Sequence, residues 1–223
     1  MHISEGILTL PVAAATTVAV VPFVAKGVSE IKKKVDEDPA VKPIIGLVSA
    51  AVFVISALPI PSPVSGSSAH PTAIAIAAIL LGPWAAATVT GIVLMLQALF
   101  MAHGGISSWG ANTLNMGVFG GFTGYGIYLV FKRSNLPLWV GLALAGAVAD
   151  LTVYFATSAT MAVALHGDRS IIDMTIATFV LFLPSLVLLI VLDGLFTVGL
   201  FNFIRERRPD LAARLGIPVR AES

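Results

Sequence analysis

Four histidines are the residues of this chain best suited to bind a metal ion. His2 is the second residue, His70 lies in a stretch rich in Ser, Gly and Pro, and His103 and His166 follow long apolar segments. Imidazole is the commonest metal ligand in proteins. The chain has no cysteine, which excludes disulfides, thiolate metal sites and thiol nucleophiles. The histidines therefore indicate either a nitrogen-ligated metal site or simply a preference of His for membrane interfaces.

The first two residues offer three nitrogens in a row: the Met1 amine, the His2 backbone amide and Nδ1 of the His2 ring. We expect Met1 to be retained, because methionine aminopeptidases remove Met only before small residues. Such a planar nitrogen set suits Ni(II), Cu(II) or low-spin Co(II). His70 is the candidate for a fourth nitrogen. His103 is either an alternative ligand or a neighbour that orients the ligands.

Other polar residues lie near these histidines in the sequence. Ser68 and Asn112 are candidates for hydrogen bonds around the metal site, or equally for ordinary turn and helix N-cap roles. Asp150 and Asp193 lie within apolar segments, where an ionisable group costs about 3 kcal/mol or more. A structural and a functional role both stay open for these two acids.

The elements that must position these residues are membrane-spanning helices. Of 223 residues, 57% are hydrophobic and 11% charged, against about 25% charged in a soluble domain. The mean hydropathy is +0.95. Apolar runs near the length needed to cross a bilayer predict an all-α integral membrane protein in which residues 1–223 form a single transmembrane metal-binding domain. The seven predicted spans are 7–25, 43–58, 72–81, 84–102, 113–131, 138–165 and 172–204.

The basic residues predict the orientation of these spans. With seven spans, twelve of the thirteen Lys and Arg residues fall on one side, and only Arg169 falls on the other. Since basic residues accumulate in cytoplasmic loops, we expect the N-terminus outside and the C-terminus in the cytoplasm. All four histidines then lie at the outer face. The twelve residues are Lys26, Lys32, Lys33, Lys34, Lys42, Lys132, Arg133, Arg205, Arg207, Arg208, Arg214 and Arg220. The segment 26–42 is predicted to be a charged loop.

The sequence argues against several other functions. It contains no GxxxxGK[ST] loop, so energy from ATP would have to come from partner subunits. The HExxH motif of metalloproteases is also absent, and no enzyme activity is expected. A stand-alone secondary metal transporter is the alternative, although that class tends to have internal repeats that are not evident here. Nothing indicates an organic cofactor or a nucleic-acid partner.

Three groups of motifs resemble one family. They are "MHISEGIL" at the start, "SGSSAHPT" followed by "AILLGPWAA", and "LMLQALFMAHGG" followed by "GANTLNM". In this order they resemble the cobalt/nickel substrate-binding subunits of energy-coupling factor transporters, the CbiM/NikM type. The later spans match only in hydropathy and length. One departure is Ala73, where the family often has Gly, and we expect it to affect helix packing rather than metal ligation.

The resemblance implies a function, a site and partners. It implies capture of Co2+ or Ni2+ as the transported substrate, with Met1, His2 and His70 as ligands and the loop around His103 closing over them. It further implies a transmembrane coupling (T) subunit, two ATP-binding cassette subunits and a small membrane accessory subunit. The expected location is the cytoplasmic membrane of a prokaryote, within the lipid bilayer. The motifs do not distinguish cobalt from nickel.

Overall fold

The structure, a computed structural model, describes residues 1–215 and residue 217. Helices make up 77% of it, and no strand occurs in this part of the chain, which confirms the predicted all-α class. The α-helices in order are α1 (Leu10–Glu37), α2 (Val41–Ser56), α3 (Ile74–Leu81), α4 (Pro83–Met101), α5 (Trp109–Thr113), α6 (Gly121–Lys132), α7 (Leu138–Leu165), α8 (Ile171–Arg207) and α9 (Pro209–Arg214). A π-helical segment, Leu114–Gly120, joins α5 to α6.

Each predicted span coincides with a helical segment, but not all of these segments have the length of a span. Five are long and apolar enough to cross a membrane: α1, α4, the continuous run Trp109–Lys132, α7 and α8. Helix α2 has 16 residues and α3 has eight. Since an α-helix rises about 1.5 Å per residue, α3 alone is far shorter than a bilayer. The extended segment that precedes α3 brings the chain to it.

The predicted loop 26–42 is largely wrong, because α1 continues to Glu37. Charged residues extend the helix beyond its apolar part through pairs four residues apart: Lys26 to Glu30 at 3.6 Å and Lys33 to Glu37 at 3.9 Å. Such pairs support an exposed helix without requiring a buried face. The predicted loop is thereby reduced to a short connection between α1 and α2.

Helix α3 lies at the centre of the bundle. All eight of its residues are buried, and it packs against α4, α6, α7 and α8. Small residues let the surrounding helices approach closely. A Cβ atom at Gly146 of α7 would lie 2.4 Å from the backbone oxygen of Asp193 in α8, so this contact requires glycine. Gly146 and Asp193 thus lie in the interface between α7 and α8, the most extensive helix pairing among the described residues.

The π-helical segment sets how the long run Trp109–Lys132 faces its neighbours. Within this segment, the Asn115 side chain donates a hydrogen bond to the Thr160 hydroxyl of α7 at 3.2 Å. A Cβ atom at Gly120 would lie 2.4 Å from Val153, also in α7. Single π-helical turns often accompany functional sites because they rotate the residues that follow relative to those before. Here the segment follows directly on the helix that carries Asn112.

Opposite the histidines, helix α9 contacts the turn between α1 and α2. In α9, Arg214 forms an ion pair with Asp38, which lies in the turn between α1 and α2. Arg220, one of the twelve basic residues counted above, lies outside the described residues. Outward-facing Leu, Val, Ile and Phe side chains are exposed along α1, α7 and α8, as expected for surfaces that face lipid. The direction in which the bundle crosses the membrane stays a prediction.

Candidate metal centre

Three histidine rings from distant parts of the chain meet at one end of the bundle. The ring centroid of His2 is 4.2 Å from that of His70 and 4.7 Å from that of His103, and the last two are 5.2 Å apart. One ligating nitrogen from each ring lies within 4.8 Å of the others. His2 and His70 are completely buried, and His103 is half-buried. His166 does not belong to this cluster.

The Met1 amine lies beside this cluster. Met1 is completely buried, and its nitrogen is 3.4 Å from the hydroxyl of Tyr154. Burial lowers the pKa of the Met1 amine to about 4, against the opposing attraction of Asp150. A neutral amine carries a free electron pair, so the nitrogen is in the form that a metal ion requires.

The hydrogen bonds of the rings leave ligating nitrogens free. Nδ1 of His70 is 2.8 Å from the backbone oxygen of Pro71, and a carbonyl oxygen only accepts, so this nitrogen carries the hydrogen. The electron pair of the neutral ring then lies on Nε2, which has no hydrogen-bond partner among the described residues. Both ring nitrogens of His2 are likewise buried without a partner. Burial lowers the pKa values of both rings well below the usual range, which keeps them neutral.

The first residues are held in place by paired backbone. Ile3 forms an antiparallel bridge with Ser67. The backbone N–H of Ser68 donates to the His2 oxygen at 3.1 Å, and that of Ser4 donates to the Gly66 oxygen at 2.9 Å. The chain before α1 therefore lies along the loop that carries His70, which brings His2 and His70 together.

Two side chains at α5, one just before the helix and one inside it, form hydrogen bonds with the backbone of Ile3. Asn112 accepts from the Ile3 N–H at 2.8 Å and donates to the Ile3 oxygen at 3.0 Å. The Ser108 hydroxyl donates to the same oxygen at 2.6 Å. Asn112 lies inside α5, so the helix N-cap role considered for it is wrong. Its contact is with the residue next to His2.

Glu5 fastens the loop of His103 over the site. Its carboxylate accepts a hydrogen bond from the Ser107 N–H at 3.1 Å, and this contact with Ser107 lowers the pKa of Glu5. A Cβ atom at Gly105 would lie 2.6 Å from the Glu5 Cα, so only glycine permits this approach. Nε2 of His103 is 3.3 Å from the Ser68 hydroxyl. The acidic residue in "MHISEGIL" thus serves a loop contact beside the cluster.

The other side of the His70 loop is fixed by an acid from α8. Asp193 accepts hydrogen bonds from the Thr72 N–H at 2.7 Å, the Thr72 hydroxyl at 2.9 Å and the Ala73 N–H at 3.0 Å. Ala73 has a φ of 53°, in the left-handed region that favours glycine. The departure from Gly at this position therefore bears on backbone conformation rather than on the helix packing expected from the sequence.

Two buried residues of α7 complete the surroundings. Tyr154 contacts both Met1 and His70 through its hydroxyl. Both carboxyl oxygens of Asp150 are buried without a partner in the described part of the chain. Asp150 could be singled out from the sequence as an acid within an apolar span, whereas Tyr154 could not. A lone tyrosine in an apolar span gives no spacing signal, because its contacts are with residues far away along the chain.

Taken together, the fold and the site define a helical membrane protein with a nitrogen-rich candidate metal centre beneath paired loops. The chain belongs to the CbiM family: the family model described as "cobalt uptake substrate-specific transmembrane region" matches residues 2–211. This is a family of transporters rather than enzymes, which confirms the expectation that the chain has no enzyme activity. The match also confirms the family resemblance seen in the motifs.

Curated relatives and a solved structure agree with this assignment. The chain is 39% identical over 217 residues to the cobalt transport protein CbiM of Sorangium cellulosum, covering 97% of this chain and 96% of that protein. It is 38% identical to the CbiM of Geobacter sulfurreducens, again over 97% of this chain but 63% of the longer relative. The crystal structure of a truncated transition metal transporter superposes with a TM-score of 0.80 at 27% identity, covering 93% of this chain and 99% of that one.

Proposed function

We propose that this chain is the substrate-capture subunit of an ATP-driven uptake transporter for Co2+ or Ni2+, and that it acts as one transmembrane metal-binding domain. The observation that carries the proposal is the set of buried ring nitrogens of His2 and His70 that lack partners among the described residues and lie beside the Met1 amine. Buried polar atoms are normally hydrogen-bonded, so unpartnered ones at one point favour an ion that completes them. The names of the relatives and of the family support cobalt as the substrate.

The proposed ligands are the Met1 amine, the His2 backbone amide, Nδ1 of His2 and Nε2 of His70. Four nitrogens of this kind suit a late transition metal rather than Mg2+ or Ca2+. His103 then lies where it can approach the ion as a further ligand or cover it, with Ser68 orienting its ring. Asn112 fixes Ile3 and through it the direction of the His2 backbone. No organic cofactor is needed in this scheme.

The proposed partners are a transmembrane coupling subunit, two ATP-binding cassette subunits and a small membrane accessory subunit in the cytoplasmic membrane of a prokaryote. The family resemblance supports this assembly. The sequence has no phosphate-binding loop, so in this scheme the partner subunits hydrolyse ATP. A secondary metal transporter would instead work without these subunits. Metal uptake that needs both ATP and the partner subunits would support the proposal. Uptake by this chain alone would favour the alternative.

The decisive binding experiment compares two histidine variants of the purified full chain. We expect His70→Ala to weaken Co2+ or Ni2+ binding in calorimetry by more than the about ten- to hundredfold that a ligand-orienting residue is worth. The matched control is His166→Ala, which removes a half-buried histidine outside the cluster and should leave the affinity unchanged. Equal binding by His70→Ala and the unaltered chain would refute the proposed site.

A further inference from the structure

A tyrosine hydroxyl stands between the two segments that carry the proposed ligands. Tyr154 lies in α7 and is completely buried, and its ring packs edge-on against Phe182 of α8 with centroids 5.0 Å apart. Its hydroxyl oxygen is 3.4 Å from the Met1 nitrogen, accepts from the His70 N–H at 3.1 Å and lies 3.4 Å from the His70 backbone oxygen. A single oxygen therefore contacts the first residue of the chain and the loop histidine.

These contacts use the whole hydrogen-bonding capacity of a hydroxyl. A tyrosine O–H has one donor and two acceptor positions. The donor serves the His70 oxygen, and the acceptors receive the His70 N–H and an N–H of the Met1 amine. A neutral amine that gives one hydrogen to Tyr154 can direct its electron pair only over a restricted range. The hydroxyl thus sets the amine and the His70 backbone relative to each other.

We propose that Tyr154 is a positioning residue for the metal site, holding the Met1 amine and His70 in the register in which both reach one ion. This inference rests on the proposed function, because it takes Met1 and His70 as ligands. The rigid ring packing against Phe182 fixes the oxygen from the side of α7. Neither ligand-bearing segment belongs to a long helix, so a contact to α7 fixes them relative to the bundle.

The test is Tyr154→Phe in the full chain, which keeps the ring and its packing and removes only the hydroxyl. We expect the dissociation constants for Co2+ and Ni2+ to rise about ten- to a hundredfold, the usual effect of losing a residue that orients a ligand. The absorption bands of the bound metal should also shift, because a misplaced amine is replaced by water. A residue needed only for packing would leave both unchanged. The matched control is Tyr128→Phe, a buried tyrosine of α6 that packs against Phe201.

A double-variant cycle tests whether Tyr154→Phe lowers the metal affinity through the Met1 amine or by a route independent of the amine. Several residues added before Met1 remove the amine from the site, and the change is confirmed by mass spectrometry of the purified protein. If Tyr154 acts through the amine, the extended Tyr154→Phe chain should lose less metal affinity than the two separate fold-losses multiplied together. Losses that multiply would overturn the role assigned to Tyr154.

The outcomes distinguish this inference from the proposed function. Loss of binding in His70→Ala with unaltered affinity and spectrum in Tyr154→Phe would overturn only the role of Tyr154. Equal binding by His70→Ala and the unaltered chain would overturn the site itself. If Tyr154→Phe does not fold, 3-fluorotyrosine at position 154, in a chain with Tyr125→Phe and Tyr128→Phe, keeps the shape and weakens the hydroxyl as an acceptor. Unchanged affinity in that protein would likewise overturn the inference.

Discussion

At the scale of single residues, the loop that carries His70 ends in a costly backbone conformation. Ala73 has a positive φ, and its N–H is held by Asp193 at 3.0 Å. A left-handed conformation costs a residue with a Cβ atom about 1–2 kcal/mol. The position follows directly on "HPT", three residues after His70. Ala73 is thus a place where the fold tolerates strain beside the metal site.

We expect Ala73→Gly to raise the free energy of unfolding by about 0.5–1 kcal/mol. The relief of the left-handed conformation outweighs the about 0.4–1 kcal/mol that glycine costs through the freedom of the unfolded chain. The measurement is the thermal midpoint in detergent without metal. The control is Ala14→Gly, an exposed position inside α1, which should lower stability instead. A lower midpoint for Ala73→Gly would contradict this account.

At the scale of elements, long apolar runs were predictable and short or irregular ones were not. Hydropathy located α4, α7 and α8 to within three residues at each end, because a bilayer demands runs of about 20 apolar residues. It missed the continuation of α1 to Glu37, because that part of the helix is largely charged and hydropathy registers only apolar runs. It also missed the π-helical segment Leu114–Gly120, since one extra residue per turn leaves no trace in composition.

The same distinction holds for the candidate site. The histidines could be selected from the sequence because few residues have metal-binding chemistry. The contact of Tyr154 with His70 and the hydrogen bonds of Asn112 with Ile3 could not be predicted, because each joins residues that are far apart in the sequence. Asp193 was recognisable as an unusual acid in an apolar span. Its partners at the start of α3 became evident only from the packing of α8 against that helix.

The attachment of α3 to α8 gives a prediction at this scale. Asp193 accepts three hydrogen bonds at the start of α3, and an amide has only one oxygen with which to accept them. We expect Asp193→Asn to lower the free energy of unfolding by about 1–3 kcal/mol, the cost of leaving a buried donor unpaired. Metal affinity should fall as well, because His70 lies two residues before Thr72 in the same loop. Thermal unfolding without metal and calorimetry with Co2+ measure the two effects.

Asp173→Asn is the matched control for that experiment. Asp173 lies on the same helix but is exposed in its first turn, so its replacement should change stability by a few tenths of a kcal/mol at most. If Asp193→Asn unfolds at the same temperature as this control, the start of α3 does not depend on the acid. The position of His70 would then have to be fixed by the other contacts of its loop, among them Tyr154, the bridge of Ile3 with Ser67 and a second antiparallel bridge of Ile60 with Ala69.

At the scale of the whole molecule, the basic residues predict how the bundle lies in the membrane. Basic groups accumulate on the cytoplasmic side, so the end with Arg133 should face the cytoplasm and the end with the histidines should face outward. Reporter fusions after Gly167 should therefore report an external position, and fusions after Arg133 an internal one. An internal signal at Gly167 would overturn both the orientation and the count of seven spans.

The complete burial of the proposed ligands has a consequence for kinetics. Met1, His2 and His70 are each 0% exposed beneath loops fastened by Asn112 and Glu5. A chelator in solution cannot touch an ion held there, so escape must wait for the loops to open. We expect the dissociation rate to be independent of chelator concentration in a stopped-flow experiment, and to rise in Asn112→Ala, which frees Ile3. A rate proportional to chelator concentration would indicate direct attack on a bound ion. With a gated exit, the residence time of the ion is set by loop opening, so anything that opens the loops from the far end of the bundle would control release without altering a single ligand.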